Sequence, residues 1–231
     1  MLTILVILAV SAALVMGAAW GIYGALHESV EGFIVALAGG ALIFAVVLEL
    51  VEPAVHHVPI WSVAAAVLAG AGVFVALDRL VKAKSNSSGG VGLLVAITSD
   101  GVPENLALGV ALIGAEPLHV AALSGSIFLS NLPEAAGGAK EMAKGGRSNG
   151  KVFALWVATA VLLSAAALAG NFLLIGAPAS LLAIIKCFAG GAVVASLATE
   201  IFPQAFDEES YLTGIATALG LVLAVVLDYL G

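Results

Sequence analysis

Two short stretches hold the residues able to do chemistry: Ser99-Asp-Gly-Val-Pro-Glu-Asn-Leu-Ala and Ser130-Asn-Leu-Pro-Glu-Ala-Ala. Each sets polar residues and a Pro-Glu pair inside an otherwise apolar run of membrane length. Asp100 and Glu104 are spaced i, i+4, and Asn131 and Glu134 i, i+3, so each pair shares one helix face. A carboxylate at the centre of a membrane helix costs roughly 2.5–3.5 kcal/mol on insertion scales, and ionisable residues there mark functional sites. Proline removes a backbone N–H and frees the carbonyl four residues upstream. Carboxylates, an amide and freed carbonyls form an oxygen-rich set suited to a divalent cation.

More polar residues fall in the neighbouring apolar runs. Glu49 lies in the second, and Glu200 lies in the seventh with Ser196 one turn earlier. Against these acids the runs contain a single basic residue away from the basic cluster at their ends, Lys186. Either several acids are protonated or a cation neutralises them. Plainer readings stand beside this one. Pro103 and Pro133 serve equally as simple kinks, and Ser130 and Asn131 as hydrogen-bonding glue between helices. Glu52, His56, His57 and His119 read as interfacial. His27, Glu28 and Glu31 read as a solvated loop in preference to an exit cluster, and Asp207-Glu208-Glu209 as a solvated run.

Composition defines what must position these groups. The chain of 231 residues is 62% hydrophobic and 10% charged. Its mean hydropathy is +1.17. Soluble domains carry about 25% charged residues, so this composition belongs to a membrane protein. The net charge of −7 comes with few basic residues and argues against nucleic acid as a partner. The one cysteine, Cys187, excludes an internal disulfide and a paired-cysteine metal site, and reads as a small helical hydrophobe. The first apolar run lacks a basic leader and exceeds the length of a signal-peptide core, so it reads as a spanning helix.

The expected fold is all-α: a single domain over residues 1–231 with eight transmembrane helices. They fall at about 2–23, 31–55, 60–80, 91–114, 117–143, 151–175, 178–206 and 210–230, each with the ~20 apolar residues a span requires. Arg79, Lys82 and Lys84 fall between segments 3 and 4. Lys140, Lys144, Arg147 and Lys151 fall around the link from 5 to 6. All lie on one side, which the positive-inside rule makes cytoplasmic and which leaves both termini outside. The expected location is a prokaryotic inner membrane.

The chain also repeats itself. Ala38-Gly39-Gly40-Ala41 in segment 2 matches Ala189-Gly190-Gly191-Ala192 in segment 7, and at the same offset Glu49 matches Glu200 and Ala54 matches Ala205. Val102-Pro103-Glu104 likewise matches Leu132-Pro133-Glu134. The members of each pair run in opposite directions across the membrane. This is the signature of an inverted repeat, here 3+2+3, as used by carriers that alternate access around a midplane site.

At these motifs the chain resembles the ZIP family of divalent-metal transporters. That family has His-Asn-x-Pro-Glu in its fourth helix, a related Pro-Glu motif in its fifth and an acid before a proline in its seventh, here Glu200-Ile-Phe-Pro203. By position, the resemblance implies a metal set of Asp100, Glu104, Asn131 and Glu134, with Ser130 beside Asn131 and Glu200 completing a second metal position. Glu49 joins this set through its match to Glu200 in the repeat. Asp100 replaces the family's histidine and Gly101 its asparagine. The resulting oxygen set suits Mn²⁺, Mg²⁺ or Ca²⁺ better than Zn²⁺, with Fe²⁺ a further candidate. Zinc remains the family default, and Cd²⁺ is a further candidate.

The expectation is therefore a carrier that moves a divalent metal ion into the cytoplasm through the lipid bilayer by alternating access. The metal is its cargo. The alternatives are a proton-linked carrier of another cation and a ZIP-like metal sensor that does not transport. No motif of an intramembrane enzyme is present, so no catalytic activity is expected. The small-residue faces Gly70-Ala71-Gly72 and Gly137-Gly138 suit internal packing and homodimerisation equally.

Overall fold

The computed structural model describes residues 2–24, 27–84, 91–114 and 120–230. The Ser85–Gly90 connection, the Glu116-Pro117 turn and His119 lie outside them. Among the described residues every element is helical: α1 (Leu2–Tyr23), α2 (Glu28–Ala45), α3 (Ile60–Lys84), α4 (Val91–Ala111), α5 (Ala121–Lys144), α6 (Asn149–Phe172), α7 (Ala179–Ser196), α8 (Phe202–Glu208) and α9 (Thr213–Leu230). Two of these helices are extended. A π turn at Val46–Val51 and a 3₁₀ turn at Glu52–His56 continue α2 into one long rod. A π turn at Leu197–Ile201 joins α7 to α8 in the same way.

Five of the resulting rods are long and apolar enough to cross a membrane: Thr3–Tyr23, Glu28–His56, Ile60–Leu80, Asn149–Phe172 and Ala179–Glu208. The protein is thus a helical membrane protein. The other rods differ in kind. α5 carries Glu134, Lys140, Glu141 and Lys144, α9 is short and apolar, and α4 carries the Asp100–Glu104 interruption.

The two π turns come at the same offset from Ala38-Gly39-Gly40-Ala41 and from Ala189-Gly190-Gly191-Ala192, and each holds a glutamate, Glu49 or Glu200. A π turn adds one residue to the helical register, and such turns are frequent at functional sites. In both rods a proline opens the helical segment that follows: Pro53 after the first π turn and Pro203 after the second. Proline is tolerated there because the N–H it lacks is unpaired at a helix start.

Glycine carbonyl contacts fix the helix crossings. Gly40 packs against the Thr217 carbonyl and Gly220 against the Leu37 carbonyl, seating α2 on α9. Gly191 packs against the Val67 carbonyl and Gly70 against the Phe188 carbonyl, seating α7 on α3. A Cβ at any of these four glycines would overlap backbone. The α1–α5 crossing uses Gly21 on the Ala136 carbonyl, and the α4–α6 crossing uses Gly170 on the Leu106 carbonyl. In lipid, close backbone approach of this kind replaces the hydrophobic effect as the packing force. Around the crossings, Leu42, Leu50, Leu108, Leu123 and Ile127 form the main apolar cluster, and Trp156 fills a second one between α1, α5 and α6.

One expected boundary changes. α3 runs on to Lys84, so Arg79, Lys82 and Lys84 sit on its last turns and not in a connection. That extension places the Lys82 side chain beside the second π turn.

Candidate cation site

Glu104 follows Pro103 on α4, and Glu134 follows Pro133 on α5, with Asn131 one turn earlier on the same face. Ser196 ends α7, directly before the second π turn. Together with Leu42, Gly101, Val193 and Ile201, these four polar residues line one enclosed cavity of about 10 Å³. That is on the order of the space taken by one water or one bare ion. Four rods contribute walls to it.

Two of the lining groups have unmet polar atoms. Glu104 is 8% exposed and Asn131 only 2%. Glu104 Oε1 and Asn131 Nδ2 are buried and make no hydrogen bond. Buried polar atoms are nearly always paired, and leaving one unpaired costs about 1–3 kcal/mol. Neighbouring polar groups, by contrast, are satisfied locally. Asn105 Nδ2 donates to the Gly101 carbonyl at 2.9 Å. Ser130 Oγ donates to the Ile127 carbonyl at 3.2 Å. Thr199 Oγ1 donates to the Ala195 carbonyl at 2.9 Å.

Glu134 also borders a second space. A vestibule of about 380 Å³ opens between the ends of α2, α5 and α8, and Glu28, Glu31, Glu134, Gly137, Lys140 and Glu208 are among its walls. Glu134 therefore lines both the small polar cavity and the wide acidic opening.

The expected site residues separate into three groups. Glu104, Asn131 and Glu134 converge on the enclosed cavity. Ser130 is 1% exposed but is absent from the cavity wall, its hydroxyl turned to its own helix. Glu49 and Glu200 also stand outside it, each engaged elsewhere. Glu200 Oε1 accepts from Lys82 Nζ at 2.9 Å, and the same ammonium donates to Asp78 Oδ2 at 2.9 Å. Burial opposes the charge on Lys82, but the bonds to Glu200 and Asp78 outweigh it and hold its pKa above the ordinary lysine value. Glu49 lies within electrostatic reach of Lys186. Asp100 belongs to α4, with its side chain outside the described residues. Among the described residues, no group of three or more His, Cys, Asp or Glu could hold a metal ion by protein ligands alone.

Two solvated readings need correction. Glu31 is 3% exposed, packed under the rod ends and not in a free loop. Glu208 has a buried Oε2, because α8 folds its last turn back onto the start of α2. At the opposite end of the α2 rod the expectation of an exposed cluster agrees with the structure: His56 and Glu52 lie 3.6 Å apart with both side chains more than half exposed. Gln204, which joins the vestibule wall, carried no signal in the sequence.

Compared with known proteins, the chain matches no family model, and no curated protein aligns with it.

Proposed function

We propose that this protein is a transporter that carries a divalent metal cation toward the cytoplasm by alternating access through Glu104, Asn131 and Glu134. The observation that carries this reading is the position of Glu134, which lines both the enclosed cavity and the open vestibule. A cation in the cavity would meet Glu104 Oε1, the Asn131 amide oxygen and the Ser196 hydroxyl, and on leaving would remain beside Glu134. The oxygen-only donors favour a hard or borderline ion, Mn²⁺ or Fe²⁺, alongside the Zn²⁺ expected from the ZIP resemblance.

Eight spans and the inverted repeat belong to this proposal. The support is the like construction of two crossings, Gly40 and Gly220 for α2 on α9, Gly191 and Gly70 for α7 on α3, together with π turns at equivalent places. Under that repeat, the wide vestibule beside Lys140 and Lys144 is the cytoplasmic mouth, and the structure is the inward-facing state of a multi-pass inner-membrane protein. Rocking of one repeat against the other would close this mouth and open the cavity on the far side.

The test is radiotracer flux of Mn²⁺ and Zn²⁺ into proteoliposomes. The wild type is expected to accumulate tracer down its gradient, and Glu104→Gln with Glu134→Gln to fall to the rate of empty liposomes. Undiminished flux in the double variant contradicts the path. Metal binding without flux in the wild type identifies a sensor, and proton-driven flux of a different cation identifies the other alternative.

A further inference from the structure

The vestibule holds four carboxylates that the transport path does not use, and two of them, Glu31 and Glu208, are drawn in from solvent. Glu31, in the first turn of α2, is 3% exposed and lines the vestibule, yet makes no hydrogen bond or ion-pair contact among the described residues. Its Oε1 lies against Gly137 so closely that a Cβ there would overlap it. Glu208, at the end of α8, accepts from Gln204 Nε2 at 3.0 Å through Oε1, while its Oε2 is buried with no partner. Gly32, the residue after Glu31, faces Glu208: a Cβ on it would come within 2.7 Å of Glu208 Cβ and 2.9 Å of the Ala205 carbonyl. The start of α2 and the end of α8 are therefore in direct contact, with one carboxylate on each.

We propose that Glu31 and Glu208 form a second cation-binding position, separate from the enclosed cavity, that takes a hydrated divalent ion on the vestibule side. Holding these two neighbouring acids with the Gln204 amide as their one hydrogen-bond donor is unfavourable unless an acid is protonated or a cation neutralises them. The local lysines do not balance the wall. Glu28, Glu31, Glu134, Glu141 and Glu208 face Lys140 and Lys144 in the same space. Lys140 attracts both Glu31 and Glu208, but it is one charge against two.

The chemistry selects the kind of ion. The position offers two carboxylates and, since the Gln204 amide nitrogen is committed to Glu208, the Gln204 amide oxygen as a neutral acceptor. Among the described residues, no imidazole or thiolate lines it. One or two carboxylates plus retained water is how Mg²⁺-like ions are held, and the 380 Å³ vestibule has room for that water. This agrees with the absence of any described group of three protein ligands. As a staging point on the way out, the position rests on the transport reading; as a binding site, it does not.

Mn²⁺ binding to the full-length protein in nanodiscs, followed by the loss of the free-ion electron paramagnetic resonance signal, tests it. The wild type is expected to bind two equivalents. Glu31→Gln with Glu208→Gln is expected to remove one and leave the other, and Glu104→Gln with Asn131→Ala to leave the vestibule equivalent in place. Gly137→Ala, which keeps every acid and only pushes the Glu31 carboxylate aside, is expected to weaken that equivalent by about tenfold, the scale set by misplaced ligand support. Unchanged stoichiometry and affinity in both Glu31→Gln/Glu208→Gln and Gly137→Ala would overturn the proposal. Loss of flux in the Glu104 variants with vestibule binding intact leaves both readings standing. A wild type without flux that still loses one Mn²⁺ equivalent through Glu31 and Glu208 removes transport alone.

Discussion

Lys82 and Glu200 join the last turn of α3 to the second π turn, Nζ to Oε1, at 2.9 Å. Glu200 would otherwise be the nearest acid in sequence to Ser196 on the cavity wall. Lys82 thus acts as a tethered cation that holds this acid away from the cavity. The Lys82 side chain is 55% exposed, so the pair is screened and worth at most about 1 kcal/mol. Lys82→Met is expected to remove the ammonium's hold on Glu200, leave its side-chain contact with Asp78, and tighten cation binding by at most about fivefold, the equivalent of that energy. Isothermal titration of wild type and variant with Mn²⁺ checks this. Lys82→Arg is expected to behave as wild type.

The glycine crossings predict a contrast in stability. Gly40→Ala and Gly191→Ala each drive a Cβ into a carbonyl, of Thr217 or Val67, that belongs to a neighbouring helix and cannot swing aside. Overpacking of this kind costs about 1–3 kcal/mol. Gly72, on α3, has nothing within 4 Å of its Cβ position. Gly72→Ala is expected to be neutral or to stabilise by up to about 1 kcal/mol through helix propensity. Thermal unfolding in detergent should rank the variants in that order.

Much of this layout was legible in the chain and some was not, for identifiable reasons. Glu104, Asn131 and Glu134 stood out because acids and prolines are rare in apolar runs, and the structure brings those three to one cavity. The Gly39-Gly40 and Gly190-Gly191 pairs were visible because small residues recur where membrane helices touch. The π turns were not visible: a one-residue change of register leaves no compositional mark. Lys82 was misassigned because a lysine beyond an apolar run reads as a loop, whereas α3 simply continues to Lys84. Glu31 and Glu208 were misassigned because acids at helix ends are normally solvated. Their burial depends on Gly32 and Gly137, which lie on two different rods and become neighbours only in the fold.

Orientation is testable with single cysteines placed in a Cys187→Ser background. Ser148 precedes α6 beside the lysines, and Ser180 opens α7 at the opposite end. Ser148→Cys in inverted vesicles is expected to react with a membrane-impermeant maleimide, and Ser180→Cys only in right-side-out preparations. The reverse pattern would put the vestibule outside the cell.

Acid is expected to slow transport. Carboxylates bind a metal only when deprotonated, so protons compete with cargo at Glu104 and Glu134. Lowering pH on both sides of the membrane from about 8 to about 5 should therefore reduce the initial rate of Mn²⁺ uptake. A rate that rises with acid would instead point to a proton-driven cycle.

The most direct test of the cation path is the anomalous scattering of crystals grown with Mn²⁺. A peak bounded by Glu104, Asn131 and Glu134, lost in Glu104→Gln with Glu134→Gln, is the expected result. Mn²⁺ bound elsewhere in the protein, with no peak at those three side chains, would contradict it.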